Sequence, residues 1–117
     1  MKVALLAIEW GSSKGGLSTV NRTLAIHLAK LSNVEVTILV PEFECSEDDK
    51  RTARSHNIAI REAEHLPGFS DPLDWLSFPP DDLDIQVVIG HGAKLGRQAQ
   101  IIRKSHCCLI YHVIKNK

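Results

Sequence analysis

No excess charge of either sign runs through this chain: 14 Lys+Arg stand against 14 Asp+Glu, and the formal net charge is zero. A polyanion such as nucleic acid, or an anionic membrane surface, therefore has no electrostatic footing here. Cysteine is scarce as well. Cys45, Cys107 and Cys108 are an odd number, two of them adjacent, which excludes a disulfide framework and matches no zinc-ligand spacing. Free, buried or half-buried thiols in a reducing compartment are the expectation, and a cytoplasmic location with it. Long apolar runs are missing too. The first one, Val3 to Ile8, ends at Glu9 and is shorter than the roughly 7–15 residues of a secretion-signal core. Nothing approaches the roughly 20 apolar residues that a membrane-spanning helix needs. No internal repeat or low-complexity tract is present.

What is present is an ordinary globular composition, 44% hydrophobic and 24% charged over 117 residues. That length suits one domain of about 100–150 residues, so residues 1–117 are read as a single unit. Val3 to Ile8 is continuously apolar, as a central strand of a parallel sheet must be when both faces are covered. A Gly/Ser-rich loop, Gly11 to Gly16, follows it. Leu17, Val20, Leu24, Leu28 and Leu31 then recur at steps of three and four, which predicts an amphipathic helix starting near Ser13 or Ser18 and ending at Asn33. Val34 to Val40 is rich in β-branched residues and predicts a second strand stopping at Pro41. Ser46-Glu47-Asp48-Asp49 opens a polar surface helix to His56 with a capping-box start, and Ile58-Ala59-Ile60 is a short third strand. Five prolines and glycines break up residues 66 to 84. Within that stretch Asp71-Pro72 starts a single helical turn. Ile85 to Ile89 is a fourth strand, Leu95, Ala99 and Ile102 mark a helix to about Lys104, and Cys107 to Val113 is a fifth strand. Alternating strands and helices predict an α/β fold, a Rossmann-like doubly wound sheet, mostly parallel, of about five strands with flanking helices.

Ligands of such sheets bind beyond the carboxyl ends of the strands. Two glycine turns fall there. In the first, Gly15 and Gly16 let the backbone approach a ligand, the helix start offers free N–H groups, and Lys14 and the hydroxyls of Ser12, Ser13 and Ser18 converge. The second, Gly90-His91-Gly92, sets an imidazole at a strand end. Glycine pairs also serve plain tight turns, and a single histidine is often structural. His27, His56, His65 and His106 read as solvated. Phe69, Trp75 and Phe78 form an aromatic stretch that packs over the sheet edge, or else offers a contact surface to a protein partner or second domain. The glycine spacing does not fit the G-x-G-x-x-G dinucleotide fingerprint. Lys14-Gly15-Gly16-Leu17-Ser18-Thr19 resembles the Lys-Gly-Gly start of the ParA/MinD ATPases but lacks the Gly-Lys-Ser/Thr that follows, leaving a degenerate nucleotide-binding loop as one alternative.

An ordered set of motifs gives a closer match. Glu9, Lys14-Gly15-Gly16-Leu17, the helix end Leu28-Ala29-Lys30-Leu31, the strand Val34 to Pro41, and Val87-Val88-Ile89-Gly90-His91-Gly92 together resemble the N-terminal half of GT-B glycosyltransferases. The likeness is to the glycosyltransferase 4-like N-terminal domain and to glycogen and starch synthases, over about residues 2 to 113. It implies that Lys14, Gly15, Gly16 and Ser18 face the phosphates or sugar of a nucleotide-sugar donor. Lys14 directly precedes the glycine pair, whereas the synthases place one residue between. The resemblance also implies that His91 is the catalytic or sugar-contacting residue, that Glu9, Gly90 and Gly92 line the cleft, and that no metal or resident cofactor is needed, the nucleotide sugar being substrate. In that family a second, C-terminal half supplies most nucleotide contacts. This chain is therefore expected to be inactive alone, the other alternative being an interaction module that keeps the half-fold without catalysis.

Overall fold

The computed structural model describes residues 1–11, 16–106 and 109–111, with the side chains at 17, 92–94, 105–106 and 109–111 left aside. Its elements run β1 (Lys2–Leu6), α1 (Gly16–Ala29), β2 (Glu35–Pro41), α2 (Glu47–Ser55), β3 (Ile58–Ala63), a 3-10 helix (Pro72–Ser77), β4 (Val87–Ile89), α3 (Gly92–His106) and β5 (Leu109–Tyr111). The five strands form one sheet in the order β3-β2-β1-β4-β5, and every neighbouring pair is parallel. The doubly wound α/β expectation holds, and the sheet is wholly rather than mostly parallel among the described residues.

Strand alternation divides the core in two. Val3, Leu5, Ala7, Val36, Ile38, Val40 and Ile58 face one side, where Ala25 of α1 and Ala53 of α2 pack. Ala4, Leu6, Leu39, Ala63 and Val88 face the other, against Trp75 and Leu76 of the 3-10 helix and Leu95, Ala99 and Ile102 of α3. β1 is buried on both faces, which is why its sequence shows no alternation. The 3-10 helix is fixed to α3 by polar contacts: the Ser77 hydroxyl donates to Gln98 Oε1, and Gln98 Nε2 donates to Asp74 Oδ1 at 3.0 Å. Asp71 caps the 3-10 helix by accepting from Leu73 N at 3.0 Å.

Element boundaries move modestly. The capping box of α2 forms as expected, with Ser46 and Asp49 each accepting the other's backbone N–H. β3 continues to Ala63, and β4 is confined to Val87–Ile89. α1 differs more. It ends at Ala29, where i→i−3 bonds from Lys30 and Leu31 tighten the last turn, so Leu31 lies beyond it and is exposed. Val20 also points to solvent. The inner face is instead Ser18, Asn21 and Ala25, with Leu24 and Leu28 packing at its flanks. Short side chains on that face let the helix lie close to the sheet. The period of the apolar residues was right, and the helix is rotated about its axis from the expected orientation.

One glycine is demanded by packing. A Cβ on Gly90 would lie 2.3 Å from Leu95 O and 2.7 Å from Leu95 C, inside the backbone of α3. A Cβ on Gly16 would meet nothing within 4 Å. Gly90→Ala must displace α3 and is expected to lower stability by about 1–3 kcal/mol in urea unfolding, as overpacking does. Gly16→Ala should leave the midpoint unchanged or raise it slightly, since it removes freedom from the unfolded chain without a clash.

Candidate functional site

The strand order reverses direction at β1. From there the chain winds through α1 toward β2 on one face and, from β4, through α3 toward β5 on the other. Leu5 pairs with Ile89, so the two strands end side by side. Topology therefore puts between their exits, residues 7–11 and 90–91, the crevice in which doubly wound sheets bind ligands. α1 begins at Gly16 and α3 at Gly92, and both helices bring their N-terminal N–H groups to this rim. Those groups have no intrahelical partner and carry the positive end of the helix dipole, so the rim suits an anion.

Buried polar atoms set this rim apart. Ser18 and Asn21 are each 1% exposed and His91 is 6% exposed. Among the described residues, the Ser18 hydroxyl, both amide atoms of Asn21 and Nε2 of His91 have no hydrogen-bond partner. A buried polar group left unpaired costs about 1–3 kcal/mol, and few persist in a native fold without a use. Each of these atoms suits a ligand hydroxyl or phosphate oxygen: the serine hydroxyl donates and accepts, the amide offers one of each, and a neutral imidazole does either according to its tautomer. Burial holds the His91 pKa below its ordinary value of 6.5, so the ring is neutral at neutral pH. Glu9 is buried at 6%, its carboxylate 4.0 Å from where a Cβ on Gly11 would stand.

The fold thus brings Glu9, Gly90, His91 and Gly92 to the paired exits of β1 and β4, and Gly16 and Ser18 to the start of α1. Lys14 and Gly15 lie outside the described residues, as do Ser12 and Ser13. Asn21 was missed by sequence reasoning. It sits three residues after Ser18 on the same helix face, and a polar pair at that spacing was the available signal, hidden by the leucine stripe assigned to the neighbouring face. Trp75 belongs to the core at 7% exposure, with His65 against its ring edge at 4.9 Å and its Nε1 donating to Phe69 O at 3.3 Å. His65 is exposed, as expected, while its ring also meets Trp75. Phe69 and Phe78 do remain at the surface, their ring centroids 5.8 Å apart. Cys45 is a buried free thiol whose pKa burial pushes up to about 11. Cys107 and Cys108 lie outside the described residues. Among the described residues no three His, Cys, Asp or Glu side chains group as a metal site requires, and no helix is long and apolar enough to cross a membrane.

Two outcomes follow from the unpaired atoms. Asn21→Ala, which keeps the small side chains of that face, should raise the stability of the ligand-free chain by about 1 kcal/mol in urea unfolding, because it removes an unsatisfied amide and adds helix propensity. A loss of stability would mean that the amide has a partner. For His91 the folded pKa lies below the unfolded one, so the unfolded chain takes up the proton first as pH falls. Stability should therefore decline once pH drops below 6.5, and His91→Gln should flatten that decline in unfolding measured on either side of this value.

Comparison with known proteins bears on the same residues. No curated protein and no solved structure matches the chain. The model of one family, described as family 4 glycosyltransferase in conflict systems, matches residues 4–116. That span takes in both strand exits and both helix starts of the crevice, and the chain belongs to this family 4 glycosyltransferase family.

Proposed function

We propose that this chain forms the acceptor-side half of a GT-B cleft that transfers a sugar from a nucleotide-sugar donor, and that it is inactive alone. The observation that carries this reading is the set of unpaired, buried polar atoms of Ser18, Asn21 and His91 at the switch-point rim. A sugar presents hydroxyls that both donate and accept, which is the demand these neutral side chains leave open. A diphosphate needs donors only, and the N–H groups at the starts of α1 and α3 provide them.

In this assignment the N-terminus of α1, with Gly15, Gly16 and Lys14, faces the donor phosphates and stabilises the charge that develops on the departing diphosphate. Ser18 and Asn21 hold sugar hydroxyls. His91, neutral because it is desolvated, hydrogen-bonds the sugar beside the reacting carbon, and Glu9, Gly90 and Gly92 shape the wall. In this reading these groups share one wall of the cleft. Excluding water and gripping the nucleotide base require a second wall facing them, which is why turnover is assigned to an assembly of two halves.

Titration of isotope-labelled chain with nucleotide sugars should shift amides at residues 16–21 and 90–92, with neither transfer nor hydrolysis. Asn21→Ala should weaken this binding at least about tenfold while the chain remains folded, roughly 1.4 kcal/mol of lost contact. Turnover by the chain alone would refute the half-site reading. Magnesium-dependent ATP binding at the same amides, without response to any nucleotide sugar, would overturn the sugar-transfer assignment.

A further inference from the structure

The sheet has an open edge at β3, away from the crevice. Ala63 O accepts from Glu42 N at 3.0 Å, so the main-chain groups of Ala63 point toward β2. The parallel register then turns those of Arg61 and Ala59 the same way and leaves Ile58, Ile60 and Glu62 with their N–H and C=O directed outward. None of the backbone bonds made outside the ladders among the described residues involves these three.

A groove of about 640 Å³ runs along this edge. Its lining includes Ile60 and Glu62, whose side chains lie on the α2 face of the sheet, and Arg61 with residues 78–82, which lie on the opposite face. Only a groove that follows the strand edge can be walled by side chains from both faces. Phe78, 49% exposed, adds an apolar wall. The polar lining is of one sign: Glu42, Glu62, Glu64, Asp81 and Asp82 against the single Arg61. Arg61 is bonded to Asp82 at 2.7 Å, and Lys50 of α2 lies 3.6 Å from Glu62. Glu42, Glu64 and Asp81 have no cationic partner among the described residues. The Arg61 guanidinium holds the Asp82 carboxyl below its ordinary range, so that pair stays ionised.

We propose that this edge is a docking site for an extended, lysine- or arginine-containing peptide segment of a partner protein, which adds a strand beside β3. The outward groups of Ile60 and Glu62 supply main-chain bonds, and alternate side chains of the peptide reach Glu62 on the α2 face and Phe78 with Asp81 on the other. Charge selects this occupant over a second copy of the chain, since edge-to-edge pairing of two such grooves would oppose carboxylates to carboxylates. The site is independent of the sugar-transfer assignment and needs no nucleotide.

The test uses fluorescent peptides of about six residues, the usual length of a strand, alternating lysine and valine, with a glutamate–valine peptide and a lysine–valine peptide N-methylated at alternate amides as comparisons. At low salt the basic peptide should bind, the acidic one should not, and N-methylation should cost at least about tenfold. Charge reversal by Glu64→Lys with Asp81→Lys should weaken binding by a similar factor, while thermal unfolding confirms that the variant is folded. Equal binding of the plain and N-methylated basic peptides would reject strand addition in favour of simple charge adhesion. Equal binding of the acidic peptide, no binding of the basic one at low salt, or dimerisation of the chain abolished by the same charge reversals would each overturn the proposal.

Discussion

Parallel pairing of β1 on both of its edges is the constraint from which the rest of this molecule follows. Val3 to Leu5 are bonded into β2 on one side and β4 on the other, all running the same way. A strand held like this cannot turn back by a hairpin, so each neighbour is reached through a crossover. The crossovers share one hand, and α1 and α3 must therefore lie on opposite faces. The crevice between the exits is a by-product of that geometry. It requires no dedicated residues, only continuously apolar sequence in β1 and enough intervening chain to reach each neighbouring strand.

The residues proposed to meet a ligand are ones that oppose folding. Ser18, Asn21 and His91 are buried with polar atoms unanswered among the described residues, and each such atom costs about 1–3 kcal/mol where a domain has about 5–15 in all. A small apolar residue at position 21 would satisfy the helix and the sheet better. Keeping an amide there is the choice expected of a surface that completes its hydrogen bonds with something from outside. The same logic separates Cys45 from this group. Its thiol is buried among residues that pack well around it, and a pKa near 11 leaves it protonated and chemically quiet.

Much of the architecture could be read in advance because local and global signals agree. The unbroken apolar run of β1, the β-branched run of β2 and the Ser46–Asp49 box each state one structure and no other. The 3-10 helix was legible for the same reason, with Asp71 and Pro72 marking its start. α1 was harder. Leu17, Val20, Leu24, Leu28 and Leu31 made a plausible stripe, yet the face that meets the sheet carries Ser18, Asn21 and Ala25, because the space above β1 and β2 admits small side chains and not a row of leucines. Hydrophobic periodicity fixes the pitch of a helix and only weakly its rotation when apolar residues occupy more than one face. Asn21 was lost through that ambiguity. Gly90 and His91 could be placed after a strand because a strand terminus flanked by glycines can be recognised without knowing which way any helix is turned. The edge groove could not have been read at all, since Glu42, Arg61, Phe78 and Asp82 come together only through the pairing of β3 with β2.

The two rims of the crevice differ in how they can be altered. The β1 exit leads to a helix whose first residue, Gly16, has open space where a Cβ would stand. The β4 exit rests directly on the main chain of α3, with no side chain of residue 90 between them. Drift within such a scaffold is thus channelled: the first rim can be altered one residue at a time, whereas the second holds its shape until an entire helix is repositioned.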